Sequence, residues 1–455
     1  MEINKSISIG FLFMIFFLLT CAAACDPRRA TTGEDYAIPQ LDLSQRPDDL
    51  NPRYDYLFEN VIIDNTDDYL GHPDSVLLEN GDILTMYPEG HGKGPVRTKI
   101  STDGGKTWKD GPEKTPGSWA NSRETPTVYR LEFSDDRTTD RLIMISGNPR
   151  WPCEPTEGGF NCSISANEGQ RWSEFELFYD RSSSRKVVPI VAMASLTRLK
   201  EDGEFVDRWM GLFHERNFVN YKTVLSFDEN SRMQWSEPCP YFGEFRNIEK
   251  QVAMCEVEVI RSDGGQGDEL CLIARSNGKY GRKNNNSIVS FSQDEGETWS
   301  VPQEVPAALN GERHKAVYTR DGRLFITFRS IERAPEKLEK FAEGKKRSNW
   351  YSEGWVAWVG TYEDLKEGTE GQYRIKIAHT YLDGQEAPAM AANADTGYCG
   401  NVVLDDGTIV TCSYGCFDPQ DVFTDSKGNL VARTSVVSKC INLADTDALV
   451  TMMGR

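Results

Sequence analysis

An eight-residue pattern recurs along the chain and constrains its fold more than any other feature. It reads S-T-D-G-G-K-T-W at residues 101–108, S-A-N-E-G-Q-R-W at 165–172 and S-Q-D-E-G-E-T-W at 292–299, with a degenerate copy at 226–235. In such a pattern the Asp binds backbone amides of a hairpin turn, the Gly takes a positive φ, and the Trp packs between neighbouring sheets. The repeats therefore predict a fold built from similar β-sheets in series.

Strand pairs with turn signals lie between these copies, and six of them can be counted. They cover residues 74–87, 125–147, 193–214, 255–277, 314–329 and 399–414. A second β segment follows each pair, which gives one four-stranded sheet in roughly 62 residues. We therefore predict an all-β chain forming a single β-propeller with six blades, and the spacing also allows seven. A spare strand at 56–64 can complete the last blade and close the ring.

The first residues have the features of an export signal. Lys5 gives a basic start, residues 9–19 an apolar run, and residues 22–24 a small-residue cleavage site, which together predict a signal peptide over 1–24. Cys25 follows at once and resembles the acylated Cys of bacterial lipoproteins. Soluble export with a free Cys25 is the alternative.

This interpretation divides the chain into three parts. Residues 25–53 are predicted to be a polar tether, and residues 54–455 the propeller. We expect an exported protein that is held at a membrane by its lipid alone and is a monomer.

Composition excludes other classes of protein. The 70 Asp and Glu exceed the 51 Lys and Arg, and the formal net charge of -19 opposes binding to nucleic acid. After the signal, no segment reaches the roughly 18 apolar residues of a membrane span. Cys and His lack the spacing of a zinc site, so neither a metal nor a cofactor is predicted. Cys153 and Cys162 are close enough to bridge a hairpin after export.

The repeated pattern resembles the Asp-box, and Asp-boxes on a six-fold propeller resemble the sialidase superfamily over nearly the whole mature chain. Sialidases bind the substrate carboxylate with three Arg residues and use a Tyr nucleophile that a Glu activates. The resemblance implies that Glu256 in C-E-V-E is the base and that Tyr398 in T-G-Y-C-G is the nucleophile. Arg275 in A-R-S-N stands for the second Arg.

Other parts of the sialidase pattern are missing. His72, in L-G-H-P, stands where the family has its first Arg, and no third Arg precedes the strand at 354–358. Near the expected acid Asp the chain reads E-G-H-G-K at 89–93. One Arg of three makes a poor clamp for a carboxylate, which disfavours ordinary sialidase activity.

L-G-H-P followed by Y-P-E-G-H-G-K is similar to another branch of the superfamily, the propeller lyases that remove L-rhamnose from α-1,4-linked D-glucuronate. This resemblance implies β-elimination, with His91 as acid/base and His72 as carboxylate partner or second acid/base. His and Arg suit the chemistry, because it needs mobile protons and a neutralised carboxylate. The candidate substrate-binding residues are Arg150, Arg216, Arg275, Arg313, His214, His314 and Trp151.

Three hypotheses follow, and each has a glycan capped by a uronate or sialate as the partner. The preferred one is an exo-acting rhamnose–glucuronate lyase that uses His72 and His91. The second is an exo-α-sialidase or related hydrolase that uses Tyr398 and Glu256. The third is a lipoprotein whose propeller binds glycans without catalysis.

Overall fold

The computed structural model describes most of the chain after its N-terminal region. The described residues are 36–66, 69–112, 114–135, 140–148, 158–180, 182–184, 186–215, 218–243, 254–276, 287–332, 351–382, 385–386, 395–424, 428 and 430–453. Five residues from the predictions lie outside them: Cys25, Arg150, Trp151, Cys153 and Arg216. The predicted signal peptide lies outside them as well.

Sheets of four or five strands follow one another along the described chain, and we number them as blades 1 to 6. Their strands pair antiparallel, except for one N-terminal strand that joins blade 5 in parallel. The strands of blade 1 are Asp74–Leu77, Ile83–Pro88, Val96–Ser101 and Lys109–Asp110. Those of blade 2 are Thr127–Leu131, Arg141–Gly147, Gly158–Ser165 and Glu176–Asp180. Those of blade 3 are Pro189–Glu201, Glu204–Glu215, Asn220–Phe227, Met233–Trp235 and Cys239–Tyr241.

Blades 4 to 6 have the same plan, and the last two also take a strand from the beginning of the chain. Blade 4 contains Met254–Arg261, Leu270–Ser276, Ile288–Ser292 and Gln303–Glu304. Blade 5 contains Gly311–Tyr318, Leu324–Glu332, Tyr351–Gly360, Tyr373–Ala378 and Gln40–Asp42. Blade 6 contains Gly400–Val403, Ile409–Gly415, Ser435–Ile441 and Val61–Asn65.

The blades form a closed ring. The first strand of each blade contacts the first strand of the next, and the first strand of blade 6 contacts that of blade 1. Val61–Asn65 runs antiparallel to Ser435–Ile441, with Ile62 opposite Val437, and so supplies the outer strand of blade 6. The predicted propeller, its six blades and its closure by a strand from the N-terminal side are confirmed.

The boundary predicted between tether and propeller lies too far along the chain. Gln40–Asp42 pairs in parallel with Tyr373–Ala378 at the edge of blade 5. Leu41 and Leu43 are buried, and the ammonium of buried Lys439 donates to the carbonyl of Leu43 at 3.1 Å. These two apolar side chains are enough to dock an otherwise polar segment, so residues 40–53 belong with the propeller.

Helices and small sheets complete the described structure. The α-helical segments are Ser262–Gly265, Tyr362–Glu367 and Leu443–Met453, and the 3-10 helices are Pro52–Phe58, Gly117–Asn121, Ala307–Leu309 and Pro419–Asp421. The two-stranded sheets pair Tyr381–Leu382 with Gln385–Glu386 and Val422–Thr424 with Leu430–Ala432. None of the helices in the described part of the chain has the length and apolarity to cross a membrane.

The eight-residue repeats form the turns between the third and fourth strands of blades 1, 2 and 4. In the first copy, Oδ1 of Asp103 accepts hydrogen bonds from the backbone N–H groups of Lys106 and Thr107 at 3.1 and 2.9 Å. The indole of Trp108 donates to the hydroxyl of Ser438 in blade 6 at 3.0 Å. The predicted turn and the packing of its Trp between sheets are confirmed.

The glycine of each repeat also brings two blades close together. A Cβ added to Gly105 would lie 2.6 Å from Cγ1 of Val410 in blade 6. One added to Gly296 in blade 4 would lie 2.6 Å from Sδ of Met210 in blade 3. Glycine is thus required both by its positive φ and by the approach of the neighbouring blade.

We predict that Gly105→Ala destabilises the ring more than Gly203→Ala. Both glycines have a left-handed φ, +86° and +83°, but a Cβ at Gly203 would have nothing within 4 Å. The difference between the variants therefore measures the clash with Val410, for which we expect roughly 1–3 kcal/mol. Urea denaturation of both variants provides the measurement, and equal losses of stability would contradict this account of the blade contact.

Candidate active site

Strained backbone lies at the inner ends of several blades. His72, Glu256 and Arg313 have φ values of +54°, +49° and +58° and lie at or just before the first strands of blades 1, 4 and 5. Strand pairing is interrupted beside Glu256 and beside Arg313, as in β-bulges. Bulges redirect side chains, and strained residues concentrate at functional sites. These three side chains lie around the ring axis, and we call their surroundings the axial site.

Tyr398 and Glu256 form the centre of the axial site. The Tyr398 hydroxyl donates to Oε1 of Glu256 at 2.8 Å, although the two residues are 142 positions apart. Nη1 of Arg275 lies 3.0 and 3.1 Å from the two oxygens of the same carboxylate. The guanidinium of Arg313 lies 5.2 Å from the centroid of the Tyr398 ring. The structure thus brings together four residues that the sequence proposed separately.

These contacts fix where the proton of the pair lies. Burial opposes the ionisation of Glu256, but the charges of Arg275 and Arg313 outweigh it and lower its pKa to about 2. Burial, together with the charge of Glu256, raises the pKa of Tyr398 well above its usual value. Glu256 is therefore a carboxylate at neutral pH, and the proton is on the Tyr398 hydroxyl.

A third arginine, Arg329, was absent from the sequence predictions and completes the charged network. Arg329 and Arg275 occupy similar places, near the ends of the second strands of blades 5 and 4. A Ser follows each of them directly, in F-R-S and in A-R-S. Nη2 of Arg329 lies 2.7 Å from Oε2 of Glu312, and its Nη1 binds Asp395. The repeated Arg-Ser pair was the sequence signal that could have identified Arg329. This arginine lies one strand before residues 354–358, next to which the third Arg of the sialidase pattern was expected.

The two histidines of the lyase hypothesis meet, as their spacing suggested. The rings of His72 and His91 are 4.7 Å apart between centroids, and the His72 ring is 4.3 Å from that of Tyr398. Nδ1 of His91 lies 3.5 Å from Oδ2 of Asp395 and 3.2 Å from the hydroxyl of Tyr69. The His91 side chain is 65% exposed, which places it at the mouth of the site.

His72 has a different chemical character from His91. The backbone N–H of Gly92 donates to its Nδ1 at 3.0 Å, which leaves the ring proton on Nε2, 3.3 Å from the Tyr414 hydroxyl. Burial, then the charges of His91 and Arg329, lower the pKa of His72 well below its usual value. A neutral ring with both nitrogens engaged can orient its neighbours, but it cannot supply the positive charge that a carboxylate partner needs.

His72, His91 and Asp395 also have the spacing of metal ligands. One donor atom from each lies within 4.8 Å of the others, and two His with one carboxylate suit a divalent transition metal. A metal would have to displace either the Gly92 N–H from Nδ1 of His72 or the proton from its Nε2. The Arg329 guanidinium on Asp395 further opposes a cation there. The donor set therefore fits a hydrogen-bonded cluster better than a metal site.

The other predicted histidines lie in different surroundings. His214 is buried against Phe218 with its rings parallel, and burial lowers its pKa to about 4 in the field of Glu256, Arg275 and Arg313. His314 does not reach the axial site: it is fully buried, and its Nε2 lies 2.8 Å from the Leu309 carbonyl. Its ring stacks on Phe328, with the centroids 5.0 Å apart, so the substrate-binding role expected for it does not fit.

A buried carboxyl group lies behind the loop that carries His91. Oε1 of Glu124 accepts hydrogen bonds from the backbone and the hydroxyl of Thr125, each at 3.0 Å. A Cβ on Gly92 would lie 3.0 Å from the same oxygen. Burial raises the pKa of Glu124 to about 7, and nearby Glu256 adds to the rise. The sequence analysis missed this residue, because nothing local marks it as buried.

No protein-family model matches the chain, and no curated protein matches it. Solved structures do resemble it. A protein of unknown function from Dyadobacter fermentans DSM 18053 aligns with a TM-score of 0.53 and 15% identity, over 84% of this chain and 98% of that one.

Enzymes are among the similar structures. A mutant of the α-L-arabinofuranosidase Arb93A from Fusarium graminearum, in complex with an iminosugar inhibitor, has a TM-score of 0.51 and 11% identity, over 85% of this chain and 98% of its own. The NanB sialidase of Streptococcus pneumoniae has a TM-score of 0.51 and 12% identity, over 84% of this chain and 70% of its own. At these identities the likeness shows the fold alone, which is a β-propeller of the kind found in this sialidase and this arabinofuranosidase.

Glu124 gives a prediction on pH and stability. Its pKa is raised in the folded chain, so the folded state holds the proton longer than the unfolded state, and stability falls as pH rises from about 4.5 to 7. Gln at position 124 stays uncharged at every pH. The free energy of unfolding of Glu124→Gln, relative to that of the natural chain, should therefore rise by about 2 kcal/mol between pH 5 and pH 8. Urea denaturation at both pH values tests this, with exposed Glu79→Gln as the control. Parallel changes in all three proteins would contradict it.

Proposed function

We propose that the protein is an exo-acting glycoside hydrolase in which Tyr398 and Glu256 form the catalytic pair. The hydrogen bond of 2.8 Å between the Tyr398 hydroxyl and the buried Glu256 carboxylate carries the proposal. A nucleophile and a base within hydrogen-bond reach, with a third group orienting the base, are typical of covalent catalysis. Arg275 is that third group, since it binds both oxygens of Glu256. The exo-acting mode comes from the sialidase resemblance alone.

The contacts support the following sequence of steps. The Tyr398 oxygen attacks the anomeric carbon as its proton passes to Glu256, and the bond from that carbon to the leaving oxygen breaks. Arg313, next to the Tyr398 ring, favours the negative charge that develops on the oxygen. His91 protonates the leaving oxygen, and Asp395 stabilises the imidazolium before that transfer. Water then gives a proton to His91 and its hydroxyl to the anomeric carbon. The bond from that carbon to the Tyr398 oxygen breaks, and Glu256 returns the proton to Tyr398.

The rhamnose–glucuronate lyase is the second candidate. The contact of His72 with His91, with ring centroids 4.7 Å apart, favours it, because the resemblance that suggested the lyase depends on such a pair. The neutral state of His72 counts against it, since elimination next to a uronate needs a positive partner for the carboxylate. The Tyr398–Glu256 pair has no required role in this reaction, and we therefore rank the hydrolase first.

Substitution of the catalytic pair tests the hydrolase directly. Tyr398→Phe and Glu256→Gln should each lower kcat on aryl glycosides by about 10²–10⁴-fold, because the nucleophile or its base is lost. Tyr318→Phe is the matched control: its hydroxyl donates to the Arg261 carbonyl at 2.8 Å, away from Tyr398. Full activity in a folded Tyr398→Phe protein would rule out this tyrosine as the nucleophile.

Product analysis separates the two candidates. Elimination leaves an unsaturated uronate that absorbs in the ultraviolet, whereas hydrolysis does not. On gum arabic and on glycoside panels, we expect free sugar without new absorbance. Rising absorbance together with free rhamnose would establish the lyase instead, and binding without turnover would favour a glycan-binding protein.

His91→Ala should lower turnover by about 10²–10⁴-fold, because either mechanism uses His91 as the acid/base. Its side chain is 65% exposed, so the melting temperature should not change. Steady-state kinetics with a thermal melt provide both readouts. An unchanged melt with full turnover would exclude His91 from the chemistry.

We also propose that the protein is exported and attached to a membrane through Cys25, because a small-residue cleavage site precedes this Cys directly. The full chain should then sediment with membranes, and Cys25→Ala should appear in the soluble exported fraction. Equal fractionation of the two proteins would contradict lipid attachment.

A further inference from the structure

Two of the guanidinium groups in the axial site converge on a carboxylate of the chain itself. Oε2 of Glu312 lies 2.7 Å from Nη2 of Arg329 and 3.2 Å from Nη2 of Arg275. Glu312 is 3% exposed, so little water competes for it. We call this arrangement the Arg275–Glu312–Arg329 bridge. A carboxylate held between two guanidiniums is the geometry in which such a site would bind an acidic ligand.

The outer sides of the bridge are occupied too. Nη1 of Arg275 contacts both oxygens of Glu256, and Nη1 of Arg329 binds Asp395. To bind the Nη groups described here, an incoming carboxylate would therefore have to displace Glu256, Glu312 or Asp395 from its arginine. Breaking a buried ion pair leaves a charge without compensation, which is strongly unfavourable. The bridge thus opposes an acidic sugar at this position.

Arg313 is the remaining guanidinium. Within the described residues it makes no ion pair at contact distance. Its guanidinium packs against the Tyr398 ring, and its Nη1 donates to the Ala194 carbonyl at 3.4 Å. There it acts on the nucleophile and is 6% exposed. It is poorly placed to replace a clamp formed by two arginines.

The wider charge balance points the same way. Around Glu256 and Arg313, the charged side chains whose fields act on one another include six carboxyl groups and four cations. The carboxyl groups are Asp74, Glu124, Glu256, Glu258, Glu312 and Asp395, and the cations are Arg275, Arg313, Lys315 and Arg329. The whole chain carries a formal net charge of -19, which adds a repulsive field for anions.

We infer that the sugar unit bound in the axial site is uncharged, because the Arg275–Glu312–Arg329 bridge fills the place that a sugar carboxylate would take. Hydroxyl groups both donate and accept hydrogen bonds, so a neutral sugar can bind to the alternating carboxylates and guanidiniums without displacing any of them. This inference names the substrate class of the proposed hydrolase and rests on that function only for the cleavage step.

Binding measurements test the inference without depending on turnover. Calorimetric titrations would use N-acetylneuraminic acid, D-glucuronic acid and a panel of neutral monosaccharides with the natural chain, Glu312→Gln and Glu312→Asp. We expect the natural chain to bind at least one neutral sugar and neither acid with a Kd below about 1 mM. Glu312→Gln should gain about tenfold in affinity for an acid, because its guanidiniums are released. Glu312→Asp keeps the charge and should gain nothing.

Several outcomes would overturn the inference. They are binding of either acid by the natural chain with a Kd of about 0.1 mM or tighter, a folded Glu312→Gln without a gain, and a natural chain that binds no neutral sugar. If Glu312→Gln does not fold, the titrations of the natural chain decide alone. If the expected binding pattern occurs but no glycoside is hydrolysed, the proposed function fails and the inference stands.

Discussion

Val61–Asn65 runs alongside Ser435–Ile441 and joins the beginning of the propeller to its end. This pairing closes the ring and brings the first strand of blade 6 against that of blade 1. Without closure, Tyr398, which precedes blade 6, would have no fixed position relative to Glu256 of blade 4. The second N-terminal strand, Gln40–Asp42, extends blade 5 and is held from blade 6 by Lys439.

Closure alone does not form the site, because a regular strand alternates its side chains between the two faces of its blade. The positive φ values at His72, Glu256 and Arg313 redirect these side chains towards the axis. The resulting network alternates in sign from Glu256 through Arg275, Glu312 and Arg329 to Asp395 and His91. Within this chain of contacts each buried charge has a partner of opposite sign, which makes so many ionised groups tolerable in the interior.

In the same network Arg275 and Arg313 have two different roles, although the sequence analysis treated both of them as substrate-binding residues. Arg275 orients the Glu256 carboxylate and, through Glu312, is joined to Arg329. Arg313 lies next to Tyr398 and affects the charge on its oxygen. Neither arrangement requires a charged substrate, and the likeness to both a sialidase and an arabinofuranosidase shows that this fold alone does not determine what is bound.

The sequence by itself determined the propeller, its six blades and the turn at each repeat, because alternation and turn chemistry act between residues close in the chain. Local motifs also made Tyr398, Glu256, Arg275 and His91 candidate site residues, and the structure brings them into one site. Only the tertiary structure decided which charges meet: Glu312 and Arg329 are 17 positions apart, whereas Tyr398 and Glu256 are 142 apart. Bulges and ring closure determine those contacts and the burial that makes His72 neutral, and no local pattern encodes either.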